Sequence, residues 1–520
     1  MSTVRTWNLG VGLLLGLSWF LPWRYQTNDD FMMQWLVSGR YTGDFEYFAV
    51  FLHPLISWVF SKLFILQPLF NWYAATWFLF NFIGFSSLNS SLDKLDLSSD
   101  IKLMLRTFFL ICTLHFSFFL QFTLVAGWLA FAGFMRFAVM FFHSKGQKKE
   151  EWVGVFLVGL SLLIRWEASL LLGLSFLGAL CVSRKFEFIK MLSTKPFLFI
   201  ALMGVVFIGT QLYHQSHSEF SDYIHFNRLR ASVIDHPVMR EKMRLGEFDD
   251  SSPYYFFSQW IAAEGELEEQ DLIQLKENLD QIRFELPRLK LILETTFITL
   301  FSEKFNSGLL IWLAIVGMGI LRPKKRFQVL LLGISSLLAL SIFLTLPMRV
   351  LFLCFLPLLY FFFLEDKPSI RSANYYRLST GILLGFFLIH AVQFIKGGLE
   401  DQEKEKELLS ILENSEQGQL QFLEWVTLEN YQSLYLRDSS HDVFFMGWVA
   451  RSPFQQKILQ RNQVPSLKEI GAFKVISYLD EPDPQIANFM NRISEDAFEL
   501  TKTESLQFFE VSYFRRKGGL

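Results

Sequence analysis

Two adjacent carboxylates, Asp29 and Asp30, are the side chains in this sequence best suited to chemistry. They follow an almost wholly apolar segment, residues 8–23, which predicts a helix entering a lipid bilayer. A carboxylate where such a helix leaves the membrane can accept a proton from a substrate. The alternative is that Asn28 or Asp29 only caps a helix beginning near Phe31. Because adjacent residues do not share one helix face, we expect one aspartate to face a cavity and the other to bond locally.

Two arginines and a glutamate interrupt later apolar runs at the same predicted face of the membrane. Arg165 and Glu167 separate the runs 152–164 and 168–182, and Arg349 follows Pro347. Charges at membrane depth usually face a cavity, and a guanidinium can hold a phosphate through two hydrogen bonds. The alternatives are a polar turn in which Arg165 pairs with Glu167, and an Arg349 that reaches to the membrane surface. We predict that all three residues bind substrate.

Three more polar residues are weaker candidates for substrate binding. Gln121 lies at the outer end of the third predicted span, and His53 precedes Pro54. Arg228 follows the seventh span closely enough to reach a lipid phosphate. Each also has an alternative explanation. Gln121 would bond a neighbouring helix, His53 would be an interfacial histidine, and Arg228 would lie in a solvated loop.

The composition is that of a polytopic membrane protein. Of 520 residues, 52% are hydrophobic and only 19% are charged, against about 25% in soluble domains. The net charge of −2 argues against nucleic-acid binding. Cys112, Cys181 and Cys354 all lie in apolar runs, without the spacing of a metal site or a disulfide framework. Phosphate-binding and dinucleotide-binding motifs are also absent from the sequence, which makes a nucleotide-driven pump improbable.

Apolar runs predict an all-α transmembrane bundle over residues 1–395. Short basic loops near residues 146–149, 183–185 and 322–326 all fall on one side, which the positive-inside rule makes cytoplasmic. The N-terminus is then cytoplasmic as well. Outside lie the two aspartates, the loops 24–69 and 214–304, and the C-terminal tail. Within the first of these loops, residues 46–66 predict a helix at the membrane surface. About eleven spans are expected, at 8–23, 70–88, 101–121, 123–143, 151–165, 167–183, 196–213, 305–321, 327–346, 349–364 and 378–395.

Residues 396–520 predict a small α/β domain outside the membrane. A charged helix, Glu400 to Glu413, comes first. Strand-like and helix-like runs then alternate, which is typical of a sheet covered by helices. The predicted strands are Val443–Met446, Phe473–Leu479 and Phe508–Phe514, and the predicted helices are 453–461 and 483–493.

The first loop and two later motifs resemble the GT-C superfamily, the integral-membrane glycosyltransferases that use polyprenyl-phosphate sugars. The similarity is carried by Asn28-Asp29-Asp30-Phe31-Met32-Met33, Tyr41-Thr42-Gly43, Gln121-Phe122-Thr123 and Arg165-Trp166-Glu167. Many spans and a short surface helix after the first of them also fit that plan. The resemblance in architecture extends over residues 1–395 and is to a bacterial branch.

The resemblance implies an inverting transfer at the outer face of a bacterial inner membrane. The donor would be a polyprenyl-phosphate-linked sugar, and the acceptor an envelope glycan, a lipid or a protein. Asp29 or Asp30, with Asp29 favoured, would be the general base, while Arg165, Arg349 and Arg228 would stabilise the leaving phosphate. No cofactor is certain. Some relatives use a divalent metal, Mg²⁺ or Mn²⁺, which Asp29 and Asp30 would hold.

Two other functions are compatible with a membrane protein of this composition. A transporter or flippase for lipid-linked saccharides would have inverted repeats and helices broken at mid-membrane. The sequence shows neither clearly, and its charges cluster towards one face. A polysaccharide polymerase or ligase of another fold would also carry a large outer loop.

Overall fold

The chain is mostly helical, with a five-stranded sheet near its C-terminus. The computed structural model describes residues 3–143, 148–184, 187–249, 252–263, 265–320, 323–364, 373–413, 419–432, 443–481, 485–494 and 496–517.

Helices account for most of the chain up to residue 413. The first nine are α1 (Thr3–Ser18), α2 (Asn28–Val37), α3 (Pro54–Leu66), α4 (Trp72–Asp93), α5 (Ser99–Phe118), α6 (Phe122–His143), α7 (Lys148–Arg184), α8 (Glu187–Leu192) and α9 (Lys195–His217). The next ten are α10 (Ser221–Ile234), α11 (Pro237–Arg244), α12 (Pro253–Ser258), α13 (Glu269–Ile282), α14 (Leu286–Ser302), α15 (Lys304–Ile320), α16 (Pro323–Phe343), α17 (Met348–Phe355), α18 (Tyr360–Leu364) and α19 (Ala373–Glu413). The last two are α20 (Pro453–Arg461) and α21 (Gln485–Ile493).

Within the described residues, five helices are long and apolar enough to cross a bilayer. A sixth is counted if α14 and α15, which meet at 99°, form one broken span. The predicted all-helical membrane bundle is therefore present, while the count of eleven spans is not confirmed. The five ranges are Ser99–Phe118, Phe122–Val139, Glu151–Ser183, Lys195–His217 and Ala373–Glu413.

Helix α7 is interrupted at Arg165, whose backbone leaves the helical region at φ −155° and ψ 94°. Ser161 and Ser169 hydrogen-bond to each other across this break. In a straight helix eight residues rise about 12 Å, so the two halves of α7 must fold back on each other. Arg165 therefore lies in the turn of a helical hairpin, where the sequence predicted a break between two spans, and the range Glu151–Ser183 comprises the two halves of that hairpin.

The segment after α1 is joined to the segment before α6 by a two-stranded parallel sheet. Strand β1 (Arg24–Tyr25) pairs with β2 (Phe119–Leu120), and the N–H of Gln26 donates to the Leu120 carbonyl at 2.9 Å. This pairing fixes the start of α2 against the start of α6. Farther along the first loop, α3 exposes apolar side chains such as Trp58 and Leu66, as expected of a helix at a membrane surface.

The C-terminal sheet is mixed and has the strand order β4-β3-β5-β7-β6. Its first three strands are parallel, and the last two are antiparallel. Helix α19 continues without a break from its apolar half into the charged half beneath this sheet, and the predicted domain boundary at residue 396 lies within it. The strands are β3 (Leu420–Leu423), β4 (Val443–Phe444), β5 (Ala472–Tyr478), β6 (Phe498–Ser505) and β7 (Phe509–Arg516).

The helices of the second predicted outer loop pack on one another and on the C-terminal segment. Phe226, Val238, Leu272 and Ile292 belong to a small apolar core of their own. The basic loops on which the predicted orientation rests lie partly outside the described residues, so the sidedness of the chain stays a prediction.

Candidate active site

A cavity of about 910 Å³ lies between one end of the helical bundle and the C-terminal sheet. The bundle side, which we call the floor, carries charged residues together with leucines of α7, α16 and α17. The opposite side, which we call the roof, is formed by the segments that follow α12, β3 and β4. The floor includes Asp29, Thr123, Arg165, Glu167, Leu171, Leu340, Arg349 and Leu353, and the roof includes Gln259, Trp260, Glu424, Trp425, Gly447 and Trp448.

Asp29 faces this cavity from the first turn of α2. Burial raises the pKa of its carboxyl group, while the nearby charges of Arg349 and Arg165 and a hydrogen bond from the Trp448 side chain act in the opposite direction. A carboxylate with a raised pKa, close to two cations and open to a cavity, has the properties of a general base.

Asp30 is fully buried and does not line the cavity. It accepts hydrogen bonds at 3.0 Å from the Tyr73 hydroxyl and at 3.1 Å from the N–H of Phe122. These bonds tie α2 to α4 and to the start of α6. The two aspartates thus have different roles, as the sequence predicted. The alternative prediction, that Asn28 or Asp29 caps the helix, is wrong, because α2 begins at Asn28 and both aspartates lie in its first turn.

The guanidinium of Arg165 lies beside a stacked pair of aromatic rings. Its central carbon lies 5.7 Å from the ring centre of Phe51 and 5.5 Å from that of Phe122, and the two rings are nearly parallel. Its Nε lies 3.2 Å from a carboxylate oxygen of Glu167. Both rings can attract the guanidinium charge, and Arg165 lines the cavity. Arg165 therefore presents a fixed positive charge beside Asp29.

Arg349 enters the cavity from the first turn of α17. It makes no hydrogen bond or ion pair with any residue that the structure describes, and its charge acts on Asp29 and Asp30. A partly buried guanidinium without a partner leaves five N–H donors available to an anion. Phosphate geometry matches such a donor fork.

The other predicted binding residues do not line the cavity. Gln121 is buried and caps α6 by accepting the N–H of Leu124 at 2.8 Å. His53 caps α3, and its second ring nitrogen lies 3.0 Å from the Thr210 hydroxyl. Arg228 hydrogen-bonds to Gln215. Their predicted role in binding gains no support from this geometry.

The roof supplies functional contacts that the sequence did not indicate. Trp448 reaches down to Asp29, and its ring packs edge-on against Phe51 at 4.9 Å. Its backbone is fixed by Arg230, whose guanidinium donates to the carbonyls of Gly447 and Trp448, both at 2.6 Å, and by the Tyr223 hydroxyl at 2.7 Å. A tryptophan more than 400 residues away in sequence therefore orients the candidate base. No local pattern could have revealed that contact.

The paired aspartates do not form the metal site considered from the sequence. Asp30 is buried outside the cavity, where Tyr73, Phe122 and Thr27 donate hydrogen bonds to it, whereas Asp29 faces the cavity, so the two carboxylates do not converge. Within the described parts of the chain, no three His, Cys, Asp or Glu side chains converge as metal ligands would. The floor also carries the guanidinium groups of Arg165 and Arg349, which can bind an anion.

No protein-family model and no curated protein sequence matches this chain. Two crystal structures of ArnT from Cupriavidus metallidurans, one in the apo state and one bound to undecaprenyl phosphate, align with 98% of this chain and 98% of that one. The identity is 12% in both, and the TM-scores are 0.43 and 0.46. A likeness at this level assigns no activity.

Proposed function

We propose that this protein is a membrane glycosyltransferase that transfers a sugar from a polyprenyl-phosphate donor to an acceptor at the outer face of a bacterial inner membrane. The observation that carries the proposal is the floor of the cavity. A carboxylate with a raised pKa lies there beside two guanidinium groups, at the end of an apolar bundle.

The floor fits the lipid chain and the phosphate of a lipid-linked sugar. Leu171, Leu340 and Leu353 offer apolar surface to the lipid chain where the cavity enters the bundle. Arg349, which has no described partner, and Arg165 suit the phosphate. The resemblance of the first loop to GT-C enzymes points to the same class of donor.

The residues then support an inverting displacement. Asp29 accepts the proton of the acceptor hydroxyl as its oxygen bonds to the anomeric carbon. The bond from that carbon to the phosphate oxygen breaks on the opposite side, and the phosphate leaves with the electron pair. Arg349 and Arg165 stabilise the charge that develops on it. Trp448 holds Asp29 in place, and Asp30 fixes the helix from which Asp29 projects.

The test is sugar transfer by the purified protein in liposomes, using a polyprenyl-phosphate donor labelled in its sugar and an envelope extract as acceptor. Asp29→Asn should reduce transfer by about 10²–10⁴-fold, the usual contribution of a general base. Asp44→Asn, at an exposed site outside the cavity, is the matched control and should retain activity.

Full transfer by a normally folded Asp29→Asn variant would contradict the assignment. Movement of intact labelled lipid across the membrane, without loss of its sugar, would favour a flippase instead. A product built from several donor units would indicate a polymerase.

A further inference from the structure

The roof lies where open α/β sheets usually bind their ligands. Strands β3 and β4 are adjacent and parallel, with Gln421 opposite Val443 and Phe422 opposite Phe444. Their carboxyl ends therefore point the same way, and the residues that follow both strands line the cavity. Ligands of such sheets bind beyond the carboxyl ends of the strands. The edge of the sheet at which ligands usually bind, formed by the carboxyl ends of β3 and β4, thus faces the floor.

Trp425, the second residue after β3, is exposed at the cavity although it is a large aromatic residue. Its backbone adopts φ +63°, in the left-handed region that favours glycine. A bulky side chain held in such a conformation costs conformational free energy and is a frequent mark of a functional site. The strained backbone thus accompanies an indole ring of Trp425 that lies at the cavity surface, where packing does not require a large aromatic side chain.

A second tryptophan on the roof has the same unusual backbone. Trp260 adopts φ +62°, and its carbonyl accepts the N–H of Gly447 at 2.8 Å, which joins α12 to the segment after β4. Its neighbour Gln259 makes one described side-chain hydrogen bond, a long one of 3.5 Å from its amide to Ser258. The carbonyl oxygen of the Gln259 side chain remains available to a ligand.

Glu424 adds a carboxylate beside Trp425. Its two oxygens accept the N–H groups of Gln485 and Ile486, at 2.6 and 3.0 Å, from the start of α21. Each carboxylate oxygen can accept a further hydrogen bond. The carboxylate is thus held rigidly at the cavity wall and can still accept a hydrogen bond from a hydroxyl group of a bound molecule.

We propose that the roof is the acceptor site and that it binds a saccharide, through the rings of Trp425 and Trp260 and the polar groups of Glu424 and Gln259. This rests on the proposed function, in which the floor holds the donor. Sugar rings offer C–H faces to aromatic rings and hydroxyl groups to planar acceptors. The cavity is at the upper end of the usual range for one ligand, about 300–1,000 Å³, which suits two sugars meeting between floor and roof.

The experiment measures saccharide binding by the full-length protein in lipid nanodiscs with ligand-observed NMR. The probes are di- to tetrasaccharides of glucose, mannose, galactose and N-acetylglucosamine. Trp425→Gly should weaken binding of the recognised saccharide by about tenfold or more, because the stacking ring is lost. Its Tm should be unchanged or higher, since glycine relieves the left-handed strain. Loss of binding is then distinct from loss of folding.

The matched control is Trp58→Ala, which removes an exposed tryptophan of α3 outside the cavity and should leave saccharide binding unchanged. Binding of undecaprenyl phosphate should also be unchanged in Trp425→Gly. No saccharide binding by the wild type, or binding that survives Trp425→Gly, overturns the proposal. So does a Trp425→Gly variant that loses the lipid phosphate instead.

Failure of the two proposals can be told apart with Asp29→Asn. That variant should still bind the saccharide, because Asp29 lies on the floor. If Asp29→Asn keeps full transfer while Trp425→Gly loses saccharide binding, the proposed base is wrong and the saccharide site stands. If instead Asp29→Asn loses transfer while Trp425→Gly keeps saccharide binding, the glycosyltransferase assignment stands and the roof is not the acceptor site.

Discussion

Two neighbouring aspartates differ in role because their surroundings differ. One oxygen of Asp30 accepts hydrogen bonds from both Tyr73 and Phe122 and ties three segments together, while Asp29 opens into a cavity. The same helix turn thus carries one structural and one reactive carboxylate. Glu424 shows a third case, a carboxylate on the roof that caps a helix and also faces the cavity.

Glu424 provides a prediction at the scale of one residue. Burial raises the pKa of its carboxyl group from 4.5 to about 7. Between these values the folded chain keeps a proton that the unfolded chain has lost, so the free energy of unfolding falls as the pH rises from about 4.5 to about 7. The effect is at most about 3 kcal/mol and should be absent from Glu424→Gln. Urea unfolding of the wild type and of Glu424→Gln across this pH range measures the effect. The same pH dependence of the free energy of unfolding in both proteins would contradict the prediction.

At the scale of elements, the close contact of α6 with the α7 hairpin positions Arg165. Gly133 and Gly154 face each other there: a Cβ on Gly133 would lie 2.8 Å from the Gly154 carbonyl oxygen and 2.8 Å from a methyl group of Val158. Small residues let helix backbones approach in this way inside membranes. The turn of the hairpin, and with it Arg165, depends on that approach.

Gly133→Ala should therefore force α6 and α7 apart and destabilise the protein by about 1–3 kcal/mol. Gly178→Ala is the matched control, because a Cβ on Gly178, also in α7, meets no atom within 4 Å. It should be neutral or slightly stabilising. Thermal unfolding in detergent compares the two, and equal Tm values would show that the helices can absorb the methyl group.

At the scale of the whole molecule, the site exists only where the bundle and the C-terminal sheet meet. Arg230, buried to 1% exposure, joins α10 to the segment after β4 through the carbonyls of Gly447 and Trp448. Trp448 in turn contacts Asp29. The C-terminal sheet is thus part of the candidate active site.

Arg230→Met should remove the charged donor from those two carbonyls, although the Tyr223 hydroxyl still donates to Trp448 and the Ala450 N–H to Gly447, at a cost of about 1.5–3 kcal/mol. It should also loosen Trp448 and lower sugar transfer through Asp29. Hydrogen exchange at residues 443–449 should increase. Arg228→Met, two residues earlier at an exposed position, is the control and should change neither exchange nor transfer. Unaltered exchange in Arg230→Met would mean that the sheet is held by other contacts.

The sequence by itself determined the membrane class, the position of the first loop and four residues of the cavity floor. Apolar runs and their interruptions are local patterns, so Asp29, Arg165, Glu167 and Arg349 could be found from them. Strands β4, β5 and β7 also lie where alternating residues predicted strands. Strands β3 and β6, by contrast, had no such signal and were not predicted.

Only the tertiary structure decided which residues meet. Gln121, His53 and Arg228 have suitable chemistry and the predicted membrane face, but each makes another contact outside the cavity. Trp448 and Trp425 line it because parallel strands bring their loops together opposite α2. Contacts between residues hundreds of positions apart depend on packing between elements, which periodicity along the chain does not encode.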